Sequence, residues 1–337
     1  MITRIVGRRD TTRLLESGIV VWTVVIMVLA FAVVQSEQFR TITNLQNLSR
    51  QVVVLSIVAL AQFVVVLAGG VDLSLATNAR LSSIIAAIVM GGSDGRLMTG
   101  IIAALGVGLA IGAVNAVIVV RFRVEPFITT LGTGALVGGI ALYIASSPTG
   151  RASPILASFY GFKLGPVYYV VGLAVVVWAV AALMLGRSRW GRHLYAVGGD
   201  PTVAKFSGLR VSAVTSSAYL VGGALGGLAG VLLLAGSGVG DPSAGMNLEF
   251  ESLAAVVIGG ASLAGGRGRA LGVLGGVVLF GILGNVFNLL SVDVWYQQLI
   301  RGIIILVAAS LYVGGASASP GRIGRWFRRP AGAASPP

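Results

Sequence analysis

The chain has 337 residues, of which 56% are hydrophobic and 10% charged, and its mean hydropathy is +0.93. Soluble domains carry about 25% charged residues, so this composition excludes a soluble fold and indicates an integral membrane protein. The absence of cysteine and the presence of a single histidine exclude disulfides, thiol chemistry and His-rich metal clusters. The net charge of +13 is concentrated at the ends of apolar runs, which favours a topological role over nucleic-acid binding. We expect no metal site and no cofactor.

Apolar runs of about 17–23 residues recur along the chain, and this length is sufficient to cross a bilayer. The runs are continuous and do not alternate, so they predict helices and not the strands of a β-barrel. The 49 glycines fit this class because small residues let membrane helices pack closely. We predict an all-α polytopic membrane protein with about ten spans. The predicted spans are 18–34, 52–68, 75–90, 98–120, 127–145, 167–185, 214–235, 253–263, 271–290 and 295–314. The span 253–263 is too short to cross a bilayer in a straight line, so it either starts earlier or is a half-helix.

The distribution of Lys and Arg predicts the orientation of these spans. The first apolar run is longer than the core of a signal peptide and is not followed by a cleavage site. With ten spans, most basic residues fall on one side, which the positive-inside rule assigns to the cytoplasm. Both termini are then cytoplasmic. The predicted domains are a cytoplasmic segment (1–17), a transmembrane domain (18–314) and a cytoplasmic tail (315–337) that we expect to be partly disordered.

The sequence GGVDLS (69–74) separates two predicted spans and contains Asp72. A carboxylate near the bilayer centre is costly and has to face protein or water. One interpretation is an irregular or re-entrant segment that lines a pathway. The alternative is that Asp72 caps the third helix at the membrane interface. Arg80 follows inside the next span, and the sequence does not indicate its partner.

Other polar residues lie inside predicted spans. Thr129 and Thr133 are i, i+4 neighbours on one face of the fifth span, and Thr130 lies between them. Asn285 and Asn288 are i, i+3 neighbours in the ninth span, and Asn115 lies in the fourth. These side chains could hydrogen-bond a polyhydroxylated solute, or they could bond only to their own helix or to a neighbouring one.

The longest polar interruption between the termini is 186–212, which carries five basic residues and the single histidine. It follows that this loop lies in the cytoplasm. Asp200 and Pro201 predict the N-cap and first position of a short helix. We expect that helix to run to Phe206 and to stop at Gly208. Such a helix either contacts a partner or belongs to a loop that only connects two spans.

No motif indicates catalysis. The glycine-rich turn AGGRGRA (264–270) lacks the Lys-Ser/Thr of a phosphate-binding loop, and no paired carboxylates occur at catalytic spacing. We therefore predict no catalytic residue. The segments GGVDLS and GGASLAGG share a Gly-Gly pattern, which either an internal duplication or the glycine-rich composition explains.

Five segments in order resemble the permease subunits of ribose/xylose/arabinose/galactoside-type ABC importers. They are GGVDLS (69–74), PFITTLGT (126–133), GRHLYAVGGDPTVAKFSGLRV (191–211), AAVVIGGASLAGGRGRALG (254–272) and WYQQ (295–298). The resemblance implies a type II-like ABC importer permease fold in the bacterial inner membrane that translocates a pentose or hexose by alternating access. It also implies a second permease copy, cytoplasmic ABC ATPase subunits and a periplasmic or lipid-anchored sugar-binding protein as partners.

The resemblance implies a group of coupling residues, and the polar side chains of segment 69–74 and of the predicted spans suggest a second group along the pathway. The stretch 186–212 corresponds to the loop that couples the permease to its ATPase. Residues 75–80 depart from the small-residue pattern common in the family, most clearly at Arg80. The coupling positions are Gly191, Gly198, Gly199, Asp200, Ala204 and Gly208. The expected pathway residues are Asp72, Ser74, Asn78, Thr129, Thr130, Thr133, Asn285 and Asn288.

Two other functions remain open at this stage. A permease of the same architecture could carry nucleosides or branched-chain amino acids, because the binding protein would select the substrate. An ion-coupled secondary transporter would act without an ATPase, but it usually needs intramembrane carboxylates, of which this chain offers few beyond Asp72.

Overall fold

The computed structural model describes residues 19–316. The predicted cytoplasmic segment 1–17 and nearly all of the predicted tail lie outside the described residues. Thirteen α-helices occur within the described part, together with one hairpin of two strands with two residues each. The helices are α1 Ile19–Gln35, α2 Ile42–Leu67, α3 Leu75–Met90, α4 Leu97–Ala116, α5 Pro126–Ile144, α6 Pro154–Gly161, α7 Tyr169–Arg187, α8 Arg189–Gly199, α9 Pro201–Phe206, α10 Val211–Ser237, α11 Leu248–Ile258, α12 Ala270–Leu289 and α13 Val294–Ala316.

Helix α2 lies at the centre of the fold. From Val53 to Leu67 its residues are buried, and α3, α7, α10, α11 and α12 all pack against it. The sequence is compatible with this position, because the second half of α2 is apolar apart from Ser56 and Gln62 and such a helix has to be surrounded by protein or lipid. Helix α7 instead leaves Val175 and Val176 largely exposed, as expected for a helix at the periphery.

Helices α4 and α10 pack backbone against backbone through two Gly-x-x-x-Gly pairs. Gly108 and Gly112 of α4 face Gly223 and Gly227 of α10, and a Cβ added at Gly108 would overlap the carbonyl oxygen of Gly223. This arrangement confirms the expectation that glycine permits close helix packing.

Within residues 19–316, six helices are long and apolar enough to cross a membrane. They are α2, α5, α7, α10, α12 and a continuous stretch Asp94–Arg121 that contains α4. Helices α1 and α3 are apolar but shorter. The total of ten spans and their orientation stay predictions.

One predicted boundary was wrong, and a second, which the sequence left open, lies at the earlier of its possible positions. Helix α2 begins at Ile42, where the Thr41 hydroxyl caps Asn44 N–H at 3.2 Å, so much of the predicted connection 36–51 is helical. Hydrophobicity detects only the apolar part of this helix. Helix α11 runs from Leu248 to Ile258, earlier than the predicted span 253–263. Its first turn holds Glu249 and Glu251, whose charges had indicated a loop.

The predicted loop 146–166 also contains regular structure. Ser153 caps α6, which begins at Pro154 and is followed by strands β1 (Lys163–Leu164) and β2 (Val167–Tyr168). The strands pair antiparallel, with Lys163 opposite Tyr168. Within the described residues, this hairpin is the departure from the predicted all-α fold.

Candidate functional site

The segment 69–74 begins at a tight turn that ends α2. Gly69 has φ +86°, its N–H donates to the Val66 carbonyl at 2.9 Å, and the Gly70 N–H donates to the Val65 carbonyl at 3.1 Å. This pair of bonds is the Schellman motif, which requires a left-handed residue that glycine supplies at little cost. The backbone then stays irregular until α3 begins at Leu75.

Asp72 is the centre of a buried polar cluster, and its side chain is only 1% exposed. Its Oδ1 accepts from the Ser74 N–H at 2.9 Å and from the Ser74 hydroxyl at 2.6 Å. The Asn115 amide donates to the Ser74 hydroxyl oxygen at 2.8 Å and lies 3.4 Å from both carboxylate oxygens. With its amide oriented to satisfy both atoms, Gln62 donates to the Asp72 carbonyl at 2.7 Å and accepts from the Asp72 N–H at 3.3 Å.

This geometry bears on the capping interpretation of Asp72. The carboxylate of Asp72 does not bond the N–H groups of the first turn of α3, because it accepts from Ser74 and lies 3.4 Å from the Asn115 amide instead. Ser74, which occupies the N-cap position, makes no side-chain capping bond either. The irregular, protein-enclosed segment is the form of non-helical backbone that membrane proteins tolerate.

The start of α5 also forms a hydrogen bond to the segment 69–74. The Thr130 hydroxyl donates to the Val71 carbonyl, with the two oxygens 3.1 Å apart, and also lies 2.9 Å from the Pro126 carbonyl of its own helix. Thr129 and Thr133 are buried as well, and the Thr129 hydroxyl has no partner among the described residues. The PFITTLGT and GGVDLS segments, which are far apart in the sequence, therefore meet.

Asn78 and Arg80 connect helices. The Asn78 amide donates to the Gly223 carbonyl at 3.2 Å, and its oxygen accepts from the Ser82 hydroxyl at 3.1 Å. The Arg80 Nε donates to the Ala244 carbonyl at 3.1 Å, which supplies the partner that the sequence did not indicate.

Asn285 and Asn288 do not join the Asp72 cluster. Asn285 exchanges two hydrogen bonds with Asn44 near the start of α2, at 3.0 and 2.9 Å. Asn288 accepts from Gln297 at 3.3 Å. Because Asp72 follows the opposite end of the 26-residue α2, the two groups are separated by roughly 35 Å along its axis. The expected pathway residues thus do not form a single site.

The segment 186–212 contains the predicted short helix. The Asp200 Oδ1 accepts from the N–H groups of Thr202 and Val203 at 2.8 and 3.1 Å, and α9 runs from Pro201 to Phe206. Gly208 follows with φ +84°. These features confirm the predicted cap, helix and stop. Val203 and Phe206 are 60% and 88% exposed, an unusual exposure for apolar side chains on so short a helix.

Three glycine-containing segments meet where α8 ends. A Cβ added at Gly198 would overlap the Leu67 carbonyl oxygen and would lie 2.6 Å from the Gly266 nitrogen. The Gly266 N–H donates to that same Leu67 carbonyl at 3.0 Å. A Cβ at Gly265 would lie 2.7 Å from both the Gly198 carbonyl oxygen and the Gly69 Cα. We call this contact the glycine junction. It joins the 186–212 segment directly to the turn that leads to Asp72.

Tyr195 of α8 forms a hydrogen bond beside the glycine junction. Its hydroxyl donates to the Gly268 carbonyl at 2.9 Å. Burial raises the pKa of this hydroxyl above its ordinary value, although the nearby Arg269 opposes the shift, so Tyr195 stays protonated as a donor.

Sequence reasoning missed several of these residues. Gln62 is a polar residue on a buried, otherwise apolar run, which was a usable signal. The role of Gly265 and Gly266 was not visible, because a glycine-rich turn does not show which backbone approaches it. Phe206 gave no signal, since exposure of one aromatic residue depends on the packing of α9.

The comparisons with known proteins identify the family. The chain matches the family described as branched-chain amino acid transport system / permease component over residues 44–309. The chain belongs to this permease family, and with six apolar helices of sufficient length it is a multi-pass membrane protein.

Three individual relatives have names that specify a sugar. The chain is 36% identical over 309 residues to the ribose import permease protein RbsC of Escherichia coli (strain K12), covering 90% of this chain and 95% of the relative. It is 34% identical over 300 residues to the fructose import permease protein FrcC of Rhizobium meliloti, with 85% and 82% covered. It is 33% identical over 291 residues to the D-allose transport system permease protein AlsC of Escherichia coli (strain K12), with 85% and 88% covered. No solved structure matches the chain.

Proposed function

We propose that this chain is the membrane-spanning subunit of an ATP-driven importer for a monosaccharide in the bacterial inner membrane. The observation that carries the proposal is the similarity to three sugar permeases over most of the chain, combined with the exposed apolar face of α9. The broad family description names branched-chain amino acids, but the three relatives carry ribose, fructose and allose permease names.

The proposed arrangement has ten spans, cytoplasmic termini and a second permease copy, with ATP hydrolysis on separate cytoplasmic subunits and sugar delivered by a binding protein outside. The basic segment 186–212 then faces the cytoplasm. Helices α9 of the two copies offer Val203 and Phe206 to the ATPases, and the remaining coupling positions shape or support this segment.

The glycine junction provides direct contacts between segment 186–212 and the end of α2, through which the ATPase could move the membrane-spanning helices. Movement of α8 and α9 acts directly on the end of α2, because Gly198 contacts Leu67 through backbone atoms and leaves no flexible side chain between them. The turn after α2 carries Asp72. We infer that the segment 69–74 and the start of α5 change their relation during alternating access.

Unpartnered polar atoms beside the segment support this inference. The Tyr219 hydroxyl and the Asn115 Oδ1 are buried and have no hydrogen-bond partner within the described residues. A buried polar group without a partner costs about 1–3 kcal/mol. A second conformation, or a passing sugar hydroxyl, that satisfies these atoms would therefore be stabilised.

The proposal is tested in proteoliposomes that contain this chain, with and without its ATPase, binding protein and ATP. Uptake of labelled pentoses or hexoses only in the complete mixture is the expected result. Uptake by the chain alone on an ion gradient would establish the secondary transporter, and uptake of leucine or nucleosides instead of sugars would establish the other substrate classes.

The role of α9 has its own test. Phe206→Ala should reduce co-purification of the ATPase and its stimulation by the permease at least about tenfold, which corresponds to about 1.4 kcal/mol at the interface. Phe250→Ala is the matched control, because Phe250 is also an exposed phenylalanine (48%) but lies on α11, away from segment 186–212. Equal ATPase binding by both variants would contradict the role of α9.

A further inference from the structure

A basic cavity of about 520 Å³ lies between the end of α4 and the start of α10, beside α9. Three cationic side chains line it, Arg123, Lys205 and Arg210, together with the hydroxyl-bearing Ser212 and Thr215. No acidic residue lines it. In the part of the chain that the structure describes, none of the three cations forms an ion pair. Such a cavity is suited to an anion.

A second cavity of about 260 Å³ continues from the first between the same two helices. Ala113, Ala116, Val117 and Leu220 give it a largely apolar wall, and Val120 lines both cavities. Arg121 and Ser216 are the polar residues of its lining. The combined groove has three cations at one end, and its continuation along the membrane-spanning helices is mainly apolar, with Arg121 as its one cation. A small free anion would occupy only the basic end.

The backbone at the basic end is unusual. A π-helical turn, Val117–Arg121, directly follows α4, and Arg123 has φ +57°. Single π turns and left-handed non-glycine residues are rare, cost energy and concentrate at functional sites. Here they lie where α4 meets the cavity, so the conformation that costs energy also shapes one wall of the groove.

We propose that this groove binds an anionic phospholipid of the cytoplasmic leaflet. The phosphate of the head group lies among Arg123, Lys205 and Arg210, and an acyl chain lies along the apolar cavity. Basic pockets between helices on the cytoplasmic side are suited to such head groups. The inference rests on the orientation given in the proposed function. An acidic surface of a partner protein would neutralise the cations but would leave the apolar cavity empty.

A lipid in this position would connect two parts of the transporter. Lys205 belongs to α9, Arg210 precedes α10, and Arg123 follows α4. One head group that contacts all three would hold the short helix α9 against the membrane-spanning helices. Anionic lipid would therefore stabilise the segment that we propose to contact the ATPase.

The test uses the purified full chain in neutral detergent, without ATPase, binding protein or sugar. Native mass spectrometry measures binding of short-chain phosphatidylglycerol, short-chain phosphatidylcholine and inorganic phosphate. We expect tight binding of phosphatidylglycerol and much weaker binding of the other two. A triple variant, Arg123→Gln, Lys205→Gln and Arg210→Gln, should weaken phosphatidylglycerol binding on the order of a hundredfold, because each basic residue contributes about fivefold at an anionic lipid surface.

The matched control is Arg187→Gln, Arg189→Gln and Arg192→Gln, which removes the same charge from exposed positions of the same segment. It should retain binding. A further variant, Ser216→Phe, fills the apolar cavity and should weaken lipid binding without affecting phosphate. Equal binding of phosphatidylcholine, equal loss in the control, or binding of phosphate that matches the lipid and ignores Ser216→Phe would each overturn the proposal. None of these results depends on whether the transporter carries a sugar.

Discussion

Two turns of the molecule, after α2 and after α11, have the same backbone and different surroundings. The N–H groups of Gly69 and Gly260 each donate to the carbonyl three residues earlier, and those of Gly70 and Ala261 each donate to the carbonyl five residues earlier. Gly69 and Gly260 have φ of +86° and +84°. After the first turn, side chains close the structure around Asp72. After the second, backbone atoms of Gly265 and Gly266 contact those of Gly198 and Gly199.

The difference shows how one turn can serve two tasks. A polar side-chain cluster can exchange partners when neighbouring helices move, because its hydrogen bonds are few and separable. A contact between backbones has no rotamers and transmits displacement directly. We infer that the second turn holds segment 186–212 against the rest of the fold. We infer that the first turn converts movement of that segment into a rearrangement of the backbone near α5.

The largest effect is expected from a variant that breaks the backbone contact at the glycine junction. Gly198→Ala places a Cβ into the Leu67 carbonyl oxygen, and backbone has to move to admit it. Overpacking of this kind should lower the free energy of unfolding by about 3 kcal/mol. Reversible unfolding in mixed micelles measures the loss.

Gly199→Ala is the matched control for this variant. A Cβ at Gly199 meets nothing within 4 Å, and the residue is the last of α8. Its stability should stay within about 1 kcal/mol of the wild type, since alanine favours helix. Similar losses in the two variants would contradict the importance of close contact at Gly198.

The same contrast shows what sequence can predict. The Asp200 cap, Pro201 and Gly208 were correctly predicted, because capping depends on neighbours in the chain. The central position of α2 was not predicted, because an apolar helix can face either protein or lipid. The meeting of Gly69, Gly198 and Gly265 depends on contacts between residues almost 200 positions apart, and glycine has no side chain to indicate a partner. Asn285 and Asp72 were grouped because both are polar, although α2 separates them.

A smaller effect is expected at the polar turn. Asp72→Ala leaves the N–H and hydroxyl donors of Ser74 buried without their acceptor, at a cost of about 2 kcal/mol. Asp72→Asn retains an acceptor oxygen and should cost less than about 1 kcal/mol. The unfolding measurement is combined with sugar uptake. A stable Asp72→Asn protein with normal uptake indicates that the carboxylate organises the turn, whereas a stable protein without uptake indicates that the charge itself acts on the pathway.

The smallest expected effect lies beside the glycine junction. Tyr195→Phe removes only the hydrogen bond to the Gly268 carbonyl and should lower the free energy of unfolding by about 1 kcal/mol. Burial raises the pKa of Tyr195 in the folded protein above its ordinary value of 10.0, so folding favours the protonated hydroxyl. The stability difference between wild type and Tyr195→Phe should be constant below pH 10 and should decrease as the pH rises through the folded-state pKa. A difference that already changes between pH 6 and pH 8 would show that another group controls this contact, and the junction would then depend on its backbone contacts alone.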